Sequence, residues 1–231
     1  MISSGFTLLE HIYPSSLQKF LTHGQSAARL PPFCHFVAIR LADEYGHPII
    51  RPMAMYCAAL LRYKFLLEGD VDNEGNRHFL SADDAALVLA GRDEMRAMGR
   101  RFTYAYLIEC ALMNQGASPL CHNKPVLDSD SDIAKPDKPK SWTCQKWLKQ
   151  LYVALDQNRF FEEKSIGIHL LSKKSWNTVT RNMCSDCVRE LNKHVGFGVE
   201  DCWETIPQIF EQGLCWEQMR MKEENAQVPL K

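Results

Sequence analysis

The sequence predicts a mainly α protein with few or no strands, and three features carry that expectation. Apolar residues recur three and four apart through most segments. No stretch alternates at period two for long. Pro14, Pro31-Pro32 and Gly46-His47-Pro48 fall where the first periodic segments start or stop.

Taken in order, FTLLEHIYP places Leu8, Leu9 and Ile12 at helical spacing and closes at Pro14. From Ser15 to Pro32 a loop with one short amphipathic piece is expected. Pro31-Pro32 opens the next helix, whose stripe is Phe33, Phe36, Val37, Leu41 and Tyr45. A tight turn at Gly46-His47-Pro48 leads into a second helix, from Pro48 to about Leu67, that turns Ile49, Met53, Tyr56, Cys57, Leu60 and Leu61 toward a core. Glu68 to His78 is a polar turn region. Ser81 and Asp84 form a capping box, so a helix begins near Ala82; Gly91 is expected to interrupt it before a longer helix to about Met113. Residues 122–141 hold three prolines and alternating Asp and Ser, the composition of a flexible loop. Helices are expected again at Trp142–Asp156, Lys174–His194 and Val199–Phe210, with an end piece at Trp216–Lys222.

Composition excludes some classes of function. A net charge of -1 over 231 residues sets up no field toward nucleic acid or an anionic membrane. The N-terminus lacks a basic segment before an apolar core, so no secretory signal is read there. No apolar run spans a bilayer; the nearest, AMYCAALLRYKFLL, is interrupted by Arg62 and Lys64. The expected location is intracellular, cytoplasmic or nuclear, and the nine cysteines are expected to be reduced thiols.

The cysteines are also the sharpest chemical signal. Cys184-Ser-Asp-Cys187 is a CxxC in a helical register, so both sulfurs can face one side. Cys121 and Cys144 flank the loop at 122–141. Together they can supply the four thiolates that tetrahedral zinc takes, with His122 as a substitute ligand, and an ion there would tie both ends of a floppy excursion. The competing reading is four ordinary reduced thiols. A thioredoxin-type redox role is disfavoured, because Asp186 between the thiols opposes the lowered pKa it needs. Cys34-His35 does not make a nucleophile–base pair, since neighbours on a helix point about 100° apart. Walker, Rossmann, zincin and hydrolase motifs are absent, so no catalytic residue is assigned. Arg96, Arg100 and Arg101 read as a solvated face rather than a phosphate site. Trp203, Ile206 and Phe210 share one helical face, expected to pack the C-terminal helices onto the body; a partner-docking face is the other use.

FTLLEHIYP followed by VAIRLADEYGHPIIRPMAMY resembles the second half of the BTB/POZ fold. With LSADDAALVLAGRDEMR, SPLC, TCQKW, CSDC and CWETIPQIF…LCWEQM in order, the chain looks like the uncharacterised BTB-type proteins of filamentous and mushroom-forming fungi. The resemblance covers most of the chain. It implies a partial BTB-like helical region at 1–67, with Leu41, Ala42, Tyr45, Ile49, Met53 and Leu60 in its core, and a family-specific helical region at 79–231. The strands and dimerising first helix of that fold would precede Phe6, where only MISSG stands, so the expectation is a chain without that half and with homodimerisation in doubt. The Gly-Leu-Cys-Trp segment at 213–216 departs from the family's more usual Gly-Leu-Pro-x-Trp. The resemblance implies a non-catalytic protein–protein interaction protein, adaptor-like, as for cullin-type ubiquitin ligases, with an unidentified protein partner. The alternative is a zinc-stabilised helical domain acting in transcription or nucleic-acid binding.

Overall fold

The computed structural model describes residues 2–22, 24–112, 121, 143–157, 180–211 and 213–226. These residues are mainly helical, as expected. They form two compact units: residues 1–96 with 200–231, and residues 97–199. The loop predicted at 122–141 and the helix start predicted at Lys174 lie outside the described residues.

In the first unit, α1 (Ile2–Ile12) and α2 (Leu17–Thr22) precede a 3-10 turn at Gly24–Arg29, then α3 (Pro32–Tyr45), α4 (Arg51–Ala59) and α5 (Tyr63–Glu68). The predicted hairpin is α3 packed on α4. Pro32 sits in the first turn of α3, where a missing N–H costs nothing. Gly46 ends the helix in the left-handed region (φ 67°), its N–H returning to the Ala42 carbonyl, and only glycine adopts that cap without strain.

Residues Pro52 to Ala59 of α4 are all buried. A helix apolar on every side belongs at the centre of a unit, and its small residues let neighbours close in. The predicted single helix from Pro48 to Leu67 is two: the chain breaks at Leu61-Arg62, and α5 restarts after extended Arg62 (ψ 147°). Of the expected core, Ala42, Ile49 and Met53 are buried, Leu41 and Leu60 are half-buried, and Tyr45 is 53% exposed. Tyr45 is therefore not a core residue; at the last position of α3 its ring meets that of Phe6.

A two-stranded antiparallel hairpin follows, β1 (Asp70–Val71) with β2 (Arg77–His78). Asp72 organises its turn, accepting from the N–H of Glu74 (2.9 Å) and Asn76 (2.8 Å) and from Nε2 of His78 (2.8 Å).

The long helix α6 (Ala82–Leu112) starts where Ser81 predicts, the Asp84 N–H donating to Ser81 Oγ at 3.1 Å. Gly91 does not break it. The glycine is there for space: a Cβ would lie 2.3 Å from Cε1 of Phe210. Helix propensity is sacrificed for a close crossing, not for a turn.

The helices expected at Lys174–His194 and Val199–Phe210 are, in their described part, one helix, α8 (Ser185–Phe210), which runs through Gly196 and Gly198 and contains Pro207. Proline lacks the N–H that would bond the carbonyl four residues earlier, that of Trp203. Trp216, at the start of α9 (Trp216–Ala226), supplies the substitute: its indole Nε1 donates to the Trp203 carbonyl at 2.9 Å. The two indoles stack with centroids 5.0 Å apart, and Phe20 packs on Trp203 at 5.5 Å. Trp203, Ile206 and Phe210 are all buried, so this face packs the C-terminal helices onto their own unit and is not a free docking face.

Arg51 gathers charges in the same unit. Its guanidinium meets Asp43 at 2.8 Å, Asp84 at 2.6 Å and Glu211 at 2.6 Å. It thereby ties α3, the start of α6 and the end of α8 to the start of α4. Arg92 is 3% exposed, bonds the Leu61 carbonyl and lies 4.4 Å over the Tyr63 ring.

The described core of the second unit is small. α7 (Cys144–Gln157) contributes Cys144, Leu148 and Leu151, and α8 contributes Cys187 and Leu191, joined by Met183 and Cys121. Trp147, Tyr152, Val188 and Val195 pack around it half-buried. Among the described residues no helix is long and apolar enough to cross a membrane.

Candidate metal centre

Two helices that meet in the described cluster of the second unit, α7 and α8, each carry an apolar stripe whose first member is a cysteine. On α7 the stripe is Cys144, Leu148, Leu151; on α8 it is Cys187, Leu191, Val195. Helical spacing therefore brings the thiols to the ends of both stripes. Thr143 caps α7, its carbonyl accepting from the Lys146 N–H at 2.9 Å, which puts Cys144 in the first turn. Cys184 takes the corresponding place on α8, its carbonyl accepting from the Val188 N–H at 3.0 Å. The CxxC thus straddles a helix start rather than lying within a helix. The expected helical turn before it is replaced by a tight turn in which the Met183 N–H reaches the Thr180 carbonyl at 3.1 Å.

That turn aims the Cys184 N–H at Cys144 Sγ, 3.2 Å away. Cys184 Sγ is 3.8 Å from Cys121 Sγ. The sulfurs of Cys121, Cys144, Cys184 and Cys187 all lie within 4.8 Å of one another. Three of these residues are buried, at 6%, 0% and 1% for Cys121, Cys144 and Cys187, and Cys184 is half-buried. All four residues picked out from the sequence are brought together, so the four cysteines could bind a metal ion. His122, the substitute ligand, lies outside the described residues.

The spacing is informative. Four thiolates about 2.3 Å from a tetrahedral zinc ion would stand about 3.8 Å apart along each edge. The 3.8 Å between the sulfurs of Cys184 and Cys121 equals one such edge, and the others lie within 4.8 Å. The backbone N–H on Cys144 and two helix starts offer partial positive charge to thiolates. Asp186, set against thiolate formation in the sequence reading, is paired with Arg189.

The remaining thiols differ in kind. Burial pushes Cys57 and Cys202 up to about 12, so they remain protonated apolar filling. Burial, then Asp70, raises Cys34. Its neighbour His35 is fully buried, with Nδ1 hydrogen-bonded to the Tyr13 hydroxyl at 2.9 Å and burial pushing the imidazole down to about 4. The ring is committed to the core, with Tyr13 as its hydrogen-bond partner, while Cys34 beside it is half-buried. Of the basic cluster, Arg96 reaches the Tyr63 hydroxyl at 3.2 Å and Asp93 at 3.6 Å, and Arg101 is exposed.

One group was missed in the sequence. Glu10, His47 and Glu223 bring ligand atoms within 4.8 Å of one another in the first unit. His47 Nδ1 is bonded to Glu223, whose other oxygen accepts from the Ile49 N–H at 3.4 Å, and Phe6 stacks on the imidazole at 3.7 Å. Its members stand 37 and 176 residues apart, and no local pattern marks them. The clasp holds α9 to the turn between α3 and α4. No protein-family model matches this chain, and neither does any curated protein or solved structure.

Proposed function

We propose that this chain is a non-catalytic protein–protein interaction protein of BTB type, adaptor-like in its work, with a structural zinc ion held by Cys121, Cys144, Cys184 and Cys187. The observation that carries the zinc assignment is the 4.8 Å limit on the four sulfurs. All four ligands come from protein, which is the closed coordination of a structural ion; catalytic zinc keeps a position open for water. The described core around the quartet is a handful of apolar residues, so an ion binding the folded state alone would supply much of that unit's stability.

The interaction reading rests on the BTB-like hairpin and on large apolar side chains left exposed on the first unit, among them Leu8, Leu67 and Phe79 at 60%, 70% and 68%. Exposed apolar side chains of this size suit contact with a protein partner better than solvent. A nucleic-acid role is disfavoured because Arg92 and Arg96 are spent on internal contacts with Tyr63.

Native mass spectrometry of the purified chain, before and after chelation, tests the proposal. The expected result is a one-zinc mass increment that disappears together with part of the helical content. A metal-free, fully helical chain would overturn the zinc assignment. The charge series of the same spectrum reports whether the chain self-associates; a lone monomer directs the search for a partner to other proteins.

A further inference from the structure

We infer that this centre is redox-gated: a hydroperoxide oxidises Cys184, Cys184 captures Cys121 in a disulfide, and the ion is ejected. The inference rests on the zinc reading and adds a regulator to it.

The four thiols are not equivalent. Cys144 and Cys187 are almost wholly enclosed, at 0% and 1% exposure, whereas Cys184 is half-buried and reaches solvent. An oxidant in solution therefore meets Cys184 first. Metal coordination keeps it as the thiolate, the form that attacks peroxide. Its sulfur stands 3.8 Å from that of Cys121, and a disulfide needs about 2.05 Å. Cys184 is the cap residue of α8, so a shift of its backbone need not unwind the helix. Cys187 lies inside the first turn, and the Cys144 sulfur is held by the Cys184 N–H. The 3.8 Å contact between their sulfurs makes Cys184 and Cys121, rather than the two halves of the CxxC, the pair to link.

The steps balance. The Cys184 thiolate attacks one peroxide oxygen, the O–O bond breaks, and hydroxide leaves, giving a sulfenic acid. The Cys121 thiolate attacks that sulfur, the S–S bond forms and a second hydroxide leaves. Two protons convert the hydroxides to water; the two sulfurs have lost the two electrons that peroxide gained. Cys144 and Cys187 alone are too few to hold zinc. The fully buried Cys57 and Cys202, protonated in apolar surroundings, do not compete.

The test uses the full reduced chain. Zinc is counted first, which judges the parent reading separately: a chain without zinc overturns both. Hydrogen peroxide is then added, released zinc is read with a chromophoric chelator, and disulfides are mapped after alkylation. Release of one zinc per chain together with a Cys121–Cys184 link, reversed by a thiol reductant and zinc, is the expected result. Retained zinc, or release with a link that omits Cys184, overturns the inference. Cys184→Ser should slow release at least tenfold. Because that variant alters the centre itself, a Cys34→Ser/Cys215→Ser double variant provides the control; it leaves the quartet whole, and slowed release there would also overturn the inference.

Discussion

The two units use cysteine in opposite ways. In the first, Cys57 and Cys202 are packing: each is fully buried, and burial pushes each thiol up to about 12. In the second, cysteines make up three of the seven buried members of the described cluster, and their sulfurs converge. A thiol packed alone in a core is filling; thiols gathered at helix starts, as in the described cluster, can recruit an ion. The contrast also separates the polar cores. The first unit holds Tyr13–His35 and the crowded Arg51, and the described cluster of the second holds the four sulfurs.

The largest expected effect falls on the second unit alone. On the proposed zinc reading, Cys144→Ser or treatment with a chelator should melt α7 and the first turns of α8, while the first unit keeps its transition. A loss on the order of 10 kcal/mol of binding energy is at stake. Amide exchange resolved by residue would show it; equal loss of protection in both units would break the comparison.

Next comes acid. The folded state resists protonation of His35, whose folded value of about 4 lies below the unfolded value of about 6.5. Its contribution is complete above about pH 6.5 and is lost as the pH falls from there through about 4, a loss of about 3 kcal/mol. Denaturant melts of His35→Gln, a neutral variant, should lose that pH slope; an unchanged slope would show that another group carries it.

Gly91→Ala tests the close crossing. In an open helix this change stabilises by about 1 kcal/mol. Against the Phe210 ring it should destabilise the first unit by about 2 kcal/mol, so the sign of the change in thermal midpoint decides. Arg51→Met should cost a similar amount, about 2 kcal/mol, by leaving three carboxylates facing one another. Restoring one neutral partner with Glu211→Gln should recover part of it in a double-mutant cycle. The smallest effect is expected from Trp216→Phe, about 1–2 kcal/mol, from one carbonyl left without its donor.

Much of this was legible in the sequence because it depends on local rules. Pro32, Gly46 and Ser81 mark helix ends through backbone chemistry that acts within a few residues, and all three ends were found. The quartet was legible for a similar reason, a CxxC with two further cysteines flanking a poor folder. What was not legible depends on partners distant in the chain. Gly91 reads as a breaker until Phe210 is known to sit against it. Tyr45 has the right period for the core but stands one residue before the turn, where its face opens to solvent. Helix α8 passes through Gly196, Gly198 and Pro207 because packing along its length outweighs their poor propensity. The first unit takes in residues 200–231, a discontinuity that no linear boundary signal announces.

Pro207 has one more consequence. Because it silences its own N–H, the last turn of α8 cannot complete its hydrogen bonding by itself and borrows a donor from Trp216. The turn and α9 therefore form one cooperative piece in time as well as in space. A nascent chain that stops at Phe210 carries an unfinished helix, and the indole nine residues past Pro207 closes it. In native-state exchange, the amides around Trp203 and those of α9 should open at the same rate, as a single foldon whose latch is one side chain.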